Sequence, residues 1–199
     1  AYEIAQCLAG SEMCIRDSLG VARNTPEGIE ARVHPMLIDV NHPLASVNDA
    51  YNAVFVQGDA VQDAMFYGRG AGELPTASAV VGDVFDIVRN ILNDCCGRIG
   101  CTCYKEIPVK KMADTHNRYF MRLIVEDRCG VLAEMTAVFA KYGVSVAQII
   151  QKAAREAGSA EVVVITAKVR EGDFRTAMEE LSGRKSVRKI SSMLRVYGE

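Results

Sequence analysis

The sequence predicts an α+β fold in two parts, a sheet-and-helix first part and a ferredoxin-like βαββαβ second part. Three observations lead there. Between residues 118 and 197 the hydrophobic period switches between two and 3.6 in the order strand, helix, strand, strand, helix, strand. Between residues 29 and 92, short alternating runs of antiparallel or mixed sheet character give way to one long helical pattern. A stretch of mixed Cys, Gly, Pro and charge separates the two regions. The boundaries that follow are 1–18 as a leader, 19–93 as the first part, 94–117 as a linker and 118–199 as the second part.

The leader has no clear period beyond a helical turn or two over residues 1–8. Residues 11–18, Ser-Glu-Met-Cys-Ile-Arg-Asp-Ser, resemble the translation of a sequencing-library adapter as much as a natural loop, so no function is placed there. The chain begins with Ala, which fits a processed product or a fragment. Thr25-Pro26-Glu27-Gly28 is a turn signal. Ile29, Ala31 and Val33 alternate with Glu30, Arg32 and His34, the pattern of a half-buried strand with its polar set toward solvent. Pro35 marks an edge or a bulge. The runs 53–56 and 64–67, joined through Gly58-Asp59, read as a hairpin. A helix starts near Pro75, and Val80, Val84, Ile87, Val88, Ile91 and Leu92 form one apolar stripe on it.

In the second part, Tyr119, Met121, Leu123 and Val125 mark a strand. Val131, Leu132, Met135, Val138 and Phe139 mark a helix that stops at Gly143. Strands follow over 144–151 and 161–169. Phe174, Ala177, Met178 and Leu181 form a second amphipathic helix, and a strand over 187–197 closes the unit.

Net charge is -2, from 25 acidic and 23 basic residues, so no basic excess points to nucleic acid or an anionic membrane. No apolar run approaches the roughly 20 residues of a membrane span. Seven cysteines, an odd number, with no signal-peptide pattern, fit reduced thiols and a cytoplasmic protein.

Few side chains carry chemistry. Gly68, Gly70 and Gly72 lie between a strand and a helix start, where bare N–H groups and the helix dipole attract an anionic ligand. The spacing is G-x-G-x-G, so a dinucleotide loop and a plain tight turn both remain open. Cys95, Cys96, Cys101 and Cys103 lack the spacing of paired zinc knuckles, and no metal site is expected. Cys129 has no neighbouring base. His34, His42 and His116 have no nucleophile or second ligand near them in sequence, and no catalytic residue is assigned. The loop from Glu126 to Val131 opens a helix and offers N–H groups to a carboxylate. Gln148 and Gln151 on the following strand both donate and accept hydrogen bonds. These groups fit a free amino acid as well as they fit a capped helix beside solvent-facing amides.

Several ordered motifs carry a family resemblance. The run 25–35, Thr-Pro-Glu-Gly-Ile-Glu-Ala-Arg-Val-His-Pro, resembles homoserine dehydrogenase, as do Asn41-His-Pro-Leu-Ala-Ser-Val-Asn48 and Asn52-Ala-Val-Phe-Val-Gln-Gly-Asp59. The stretch 65–83, with Met-Phe-Tyr-Gly-Arg-Gly-Ala-Gly-Glu-Leu-Pro-Thr-Ala-Ser, is similar again. Residues 118–199 resemble an ACT domain, and Asp127-Arg-Cys-Gly-Val-Leu132 resembles its effector loop, with Cys129 where Pro is more usual.

The resemblance implies an NAD(P)-dependent oxidoreductase acting between L-homoserine and L-aspartate-4-semialdehyde, in threonine, methionine and isoleucine biosynthesis. It implies that Gly72, with Gly70 and Glu73, contacts the cofactor, and that Thr76 supports the loop. The family's dinucleotide domain and catalytic Lys have no counterpart in this chain, so the chain alone is expected to be inactive. The ACT resemblance implies an amino-acid effector, threonine first, held by Asp127, Gly130, Val131, Leu132, Gln148 and Gln151. It also implies a homodimer or higher homo-oligomer. The alternative is a non-catalytic amino-acid sensor whose first half is scaffold.

Overall fold

The structure, a computed structural model, describes residues 13–95, 97, 100, 101, 103–153 and 157–198. The helical turns expected over residues 1–8 lie outside the described residues. In chain order the elements are β1 (Met13–Thr25), β2 (Gly28–Asp39), β3 (Tyr51–Gly58), β4 (Gln62–Arg69), α1 (Glu73–Leu92), β5 (His116–Glu126), α2 (Val131–Lys141), β6 (Val146–Ala153), β7 (Ser159–Thr166), β8 (Val169–Arg170), α3 (Glu171–Ser182) and β9 (Val187–Val196). They group into two compact units. One comprises the residues up to Asp39 together with those from Ile107 onward; the other is Val40–Glu106.

The first unit is built on one sheet in the order β1-β2-β9-β5-β7-β6, with β8 paired to β5. Its β9-β5-β7-β6 part is antiparallel, with α2 and α3 packed on one face, which is the ferredoxin-like plan. The central strands are apolar on the helix face and largely apolar on the other, where the Arg122–Glu161 ion pair interrupts the run. Toward the helices, Met121, Leu123, Val125, Val162 and Val164 pack against Met135 and Phe139 of α2 and Phe174, Ala177 and Leu181 of α3. On the opposite face Phe120, Val163 and Ile165 gather with Leu37 and Val196. Each large side chain so buried contributes roughly 1.5–3 kcal/mol.

β1 and β2 form a hairpin around Pro26-Glu27, with Thr25 opposite Gly28. Gly28 has φ +136°, and a Cβ there would meet the Pro108 carbonyl oxygen at 2.4 Å, so only glycine fits. The register steps from Leu19↔His34 to Arg16↔Met36, leaving one extra residue on β1 opposite Pro35. β2 then joins the ACT sheet by a parallel seam, Met36↔Arg195 and Leu37↔Val196, which the Tyr197 N–H extends by donating to the Leu37 carbonyl at 2.7 Å.

The faces of β2 are reversed from the sequence expectation. Glu30 and Arg32 are buried, His34 is half-buried, and Val33 is 72% exposed. The reason is the surroundings of the inward face. Arg32 donates to Glu30 at 3.0 Å, and the Lys110 ammonium lies 3.4 Å from the other Glu30 oxygen. The inward charges are therefore paired.

The second unit holds the β3–β4 hairpin and α1. Tyr51 stacks on Tyr67 with ring centroids 4.9 Å apart, and the Arg69 guanidinium lies over the Tyr51 ring. α1 buries none of its residues. The expected stripe is present but uncovered, and Leu74, Val81 and Phe85 add exposed apolar surface outside it. Among the described residues no helix is long and apolar enough to cross a membrane.

Candidate functional site

The glycine loop ends β4 and opens α1. The Gly70 N–H donates to the Ala50 carbonyl at 3.0 Å, and a Cβ on Gly70 would overlap the Asn52 amide at 1.7 Å. Gly72 is the residue before the helix, at φ +130°, and its carbonyl accepts from Thr76 at 3.1 Å. A Cβ there would press on the Pro75 ring at 3.2 Å. Gly68 faces open space. Backbone geometry thus requires glycine at 72, while at 70 it is the Asn52 side chain that leaves no room for a Cβ. No side chain caps the helix, Pro75 has no N–H, and Glu73 is exposed in the first turn. The result is a bare, accessible helix start, the geometry that receives an anionic or amide-bearing ligand.

The effector loop opens α2 in the same manner. Gly130 is left-handed at φ +90° and its carbonyl accepts from Glu134 at 2.9 Å, with no side-chain cap. The Asp127 N–H donates to the Gly158 carbonyl at 3.2 Å. Arg128 bridges Glu126 and Glu134 at 2.9 and 2.8 Å. Val131 is buried, and Leu132 packs partly against the core, so these two offer backbone rather than side chain. The two glutamines do not share a face. A register irregularity between Val146 and Gln148 puts Gln148 opposite Ile165, on the face away from the helices. Gln151 lies opposite Val162, on the helix face. Since β6 is the last strand of the sheet, a ligand that meets both must straddle its edge.

A buried polar centre went unread in the sequence. The Glu171 carboxylate, in the first turn of α3, accepts from the Tyr119 hydroxyl, from Asn117 at 3.2 Å, and from Arg195 Nε and Nη2 at 3.0 and 2.5 Å. Burial alone would raise the Glu171 carboxyl. Hydrogen bonds from Arg195 and Tyr119, with the charges of Arg195 and Arg175, hold it below its ordinary value instead. Burial, reinforced by Glu171, pushes the Tyr119 phenol up, so Tyr119 stays a donor. His34 is shifted down, first by burial and then by the charges of Arg195 and Arg32.

The other sequence candidates play smaller parts. His42 accepts from the Leu44 N–H at 3.1 Å and meets the Phe55 ring edge-on. His116 is exposed. Cys95, Cys101, Cys103 and Cys129 are free thiols, and Cys96 lies outside the described residues. Among the described residues no three His, Cys, Asp or Glu side chains are placed to hold a metal ion.

Both parts of the chain match known families. Residues 6–85 match the homoserine dehydrogenase family profile, and residues 119–184 match that of the ACT domain. The chain is 42% identical over 182 residues to a homoserine dehydrogenase of Synechocystis, covering 89% of this chain and 42% of that protein. It is 42% identical over 169 residues to one of Corynebacterium glutamicum, covering 84% and 37%. A crystal structure of a homoserine dehydrogenase from Thiobacillus denitrificans superposes with a TM-score of 0.84 at 32% identity, over 98% of this chain and 44% of that one. The chain therefore spans about two fifths of the length of the curated relatives it matches. With the glycine loop between β4 and α1, and the βαββαβ order later in the chain, these matches show that the chain belongs to the homoserine dehydrogenase family and carries an ACT domain.

Proposed function

We propose that the chain is part of a cytoplasmic NAD(P)-dependent homoserine dehydrogenase that interconverts L-homoserine and L-aspartate-4-semialdehyde, on the route to threonine, methionine and isoleucine. The observation that carries this reading is the bare start of α1. Gly72 leaves room where any side chain would strain the backbone, and Gly70 lets the loop close on Asn52. That cradle fits the nicotinamide cofactor, which supplies the hydride exchange when bound. Gly70, Gly72 and Glu73 orient it, and Thr76 ties the turn. The exposed apolar surface of α1 is covered, on this reading, by the remainder of the dehydrogenase.

The ACT domain senses an amino acid, with threonine the first candidate. Its carboxylate rests on N–H groups between Cys129 and Leu132 near Asp127 and Gly130, and Gln148 and Gln151 meet it around the edge of β6. A homodimer formed along that edge encloses the ligand.

A fusion tests both halves. The 199-residue chain alone is expected to give no homoserine-dependent NAD(P) reduction. Residues 19–199 joined to the remainder of the Synechocystis enzyme are expected to restore it, and threonine to inhibit. Gly72→Val in the fusion is expected to lower activity at least about 100-fold, since it removes the cofactor's approach. A folded fusion without turnover, or one indifferent to Gly72→Val, would count against the reading.

A further inference from the structure

We propose that the groove between α3 and β9 is a second small-molecule site, distinct from the β6 edge, and that its ligand is a free amino acid with an apolar side chain. The groove encloses about 330 Å³, and Phe174 and Met178 of α3 and Ile190 and Met193 of β9 wall it. That volume lies at the small end of the roughly 300–1,000 Å³ typical of ligand sites. Met193 pairs with Met121 on the helix side of the sheet, yet it is half exposed while Met121 is fully buried. An uncovered thioether beside a packed core is a lining that adapts to an apolar guest.

The rim selects the guest. Arg175 and Glu179 stand one turn apart on α3 and both line the opening. Arg175 has one loose ion pair, 3.6 Å to a Glu171 oxygen that Arg195 already holds at 2.5 Å. The Glu179 carboxylate has no hydrogen bond or ion pair among the described residues. The deeper charges, Glu171 and Arg195, neutralise one another. A simple anion would leave the Glu179 carboxylate unpaired beside it, and a simple amine would face the Arg175 guanidinium. A zwitterion gives its carboxylate to Arg175 and its ammonium to Glu179 while its side chain enters the methionine-lined groove. Arg195 is also the residue at which β9 joins β2, so an occupant touches the strand that links the ACT sheet to the dehydrogenase segment.

Calorimetry on the 199-residue chain tests this with L-leucine and its two single-charge analogues, 4-methylpentanoate and 3-methylbutylamine. Leucine is expected to bind, and each analogue to bind at least about tenfold more weakly. Met193→Trp, which fills the groove from an exposed position, is expected to abolish binding. Arg175→Glu is expected to weaken it about tenfold. The proposal is overturned by absence of leucine binding, by equal binding of either analogue, or by binding that survives Met193→Trp.

Discussion

Glu171 illustrates how much one side chain can tie together. It begins α3, yet its partners Asn117, Tyr119 and Arg195 lie on β5 and β9, 54, 52 and 24 residues away. Removing a buried anion leaves the Arg195 charge uncompensated, so Glu171→Ala is expected to destabilise the first unit by about 3 kcal/mol in urea unfolding. An effect below about 1 kcal/mol would mean that water replaces the carboxylate. The same residue shapes the response to acid. Its folded carboxyl titrates below its ordinary value of 4.5, so the unfolded chain takes up the proton first as pH falls. The stabilisation is therefore complete above that value and is lost as pH drops through the lower folded one. The urea midpoint should fall further between neutral pH and about pH 3 for the parent chain than for Glu171→Gln. None of this was legible in the sequence, because an isolated Glu, Tyr and Arg carry no spacing signal. Gly70 and Gly72 were legible because positive φ and close approach select glycine wherever they occur.

At the scale of elements, periodicity specified what forms but not what covers it. The 3.6 period placed α1 correctly, and Leu74, Val80, Val81, Val84, Phe85, Ile87, Val88, Ile91 and Leu92 are all exposed on it. A helix apolar around most of its circumference is built for burial. The chain is therefore expected to self-associate through this helix, and Val84→Lys with Phe85→Lys should reduce association in light scattering while leaving unfolding of the first unit unchanged. Undiminished association would locate the sticky surface elsewhere, the Val54, Val56 and Phe66 face of the β3–β4 hairpin being next. In β2 the alternation was read correctly, but the inward set was not. Alternation divides residues into two faces without saying which is inside, and Lys110, which decides it for Glu30, comes from a distant segment. The ACT strands escaped this ambiguity because the paired charges of β5 and β7, Arg122 and Glu161, share the face away from the helices and leave the helix face apolar.

At the scale of the molecule, the compact units depart from the order of the sequence. Residues 28–39 are joined to the ACT sheet through β9 rather than to the hairpin that follows them. Hydrogen exchange should accordingly show β2 amides protected like those of β9, and residues 40–106 exchanging faster than both. Slower exchange in 40–106 than in β5 would contradict this division. Motifs along the chain gave the two family segments, but a seam between strands so far apart in sequence leaves no local trace. That seam sets a schedule for the newborn chain. β2 leaves the ribosome well before its partner edge, β9; at about 5–20 residues per second the wait is on the order of ten to thirty seconds. Throughout it, Met36, Leu37 and Ile38 stand on an open strand edge. A ribosome that stalls within the ACT segment holds a chain with an apolar edge to offer to chaperone or neighbour alike.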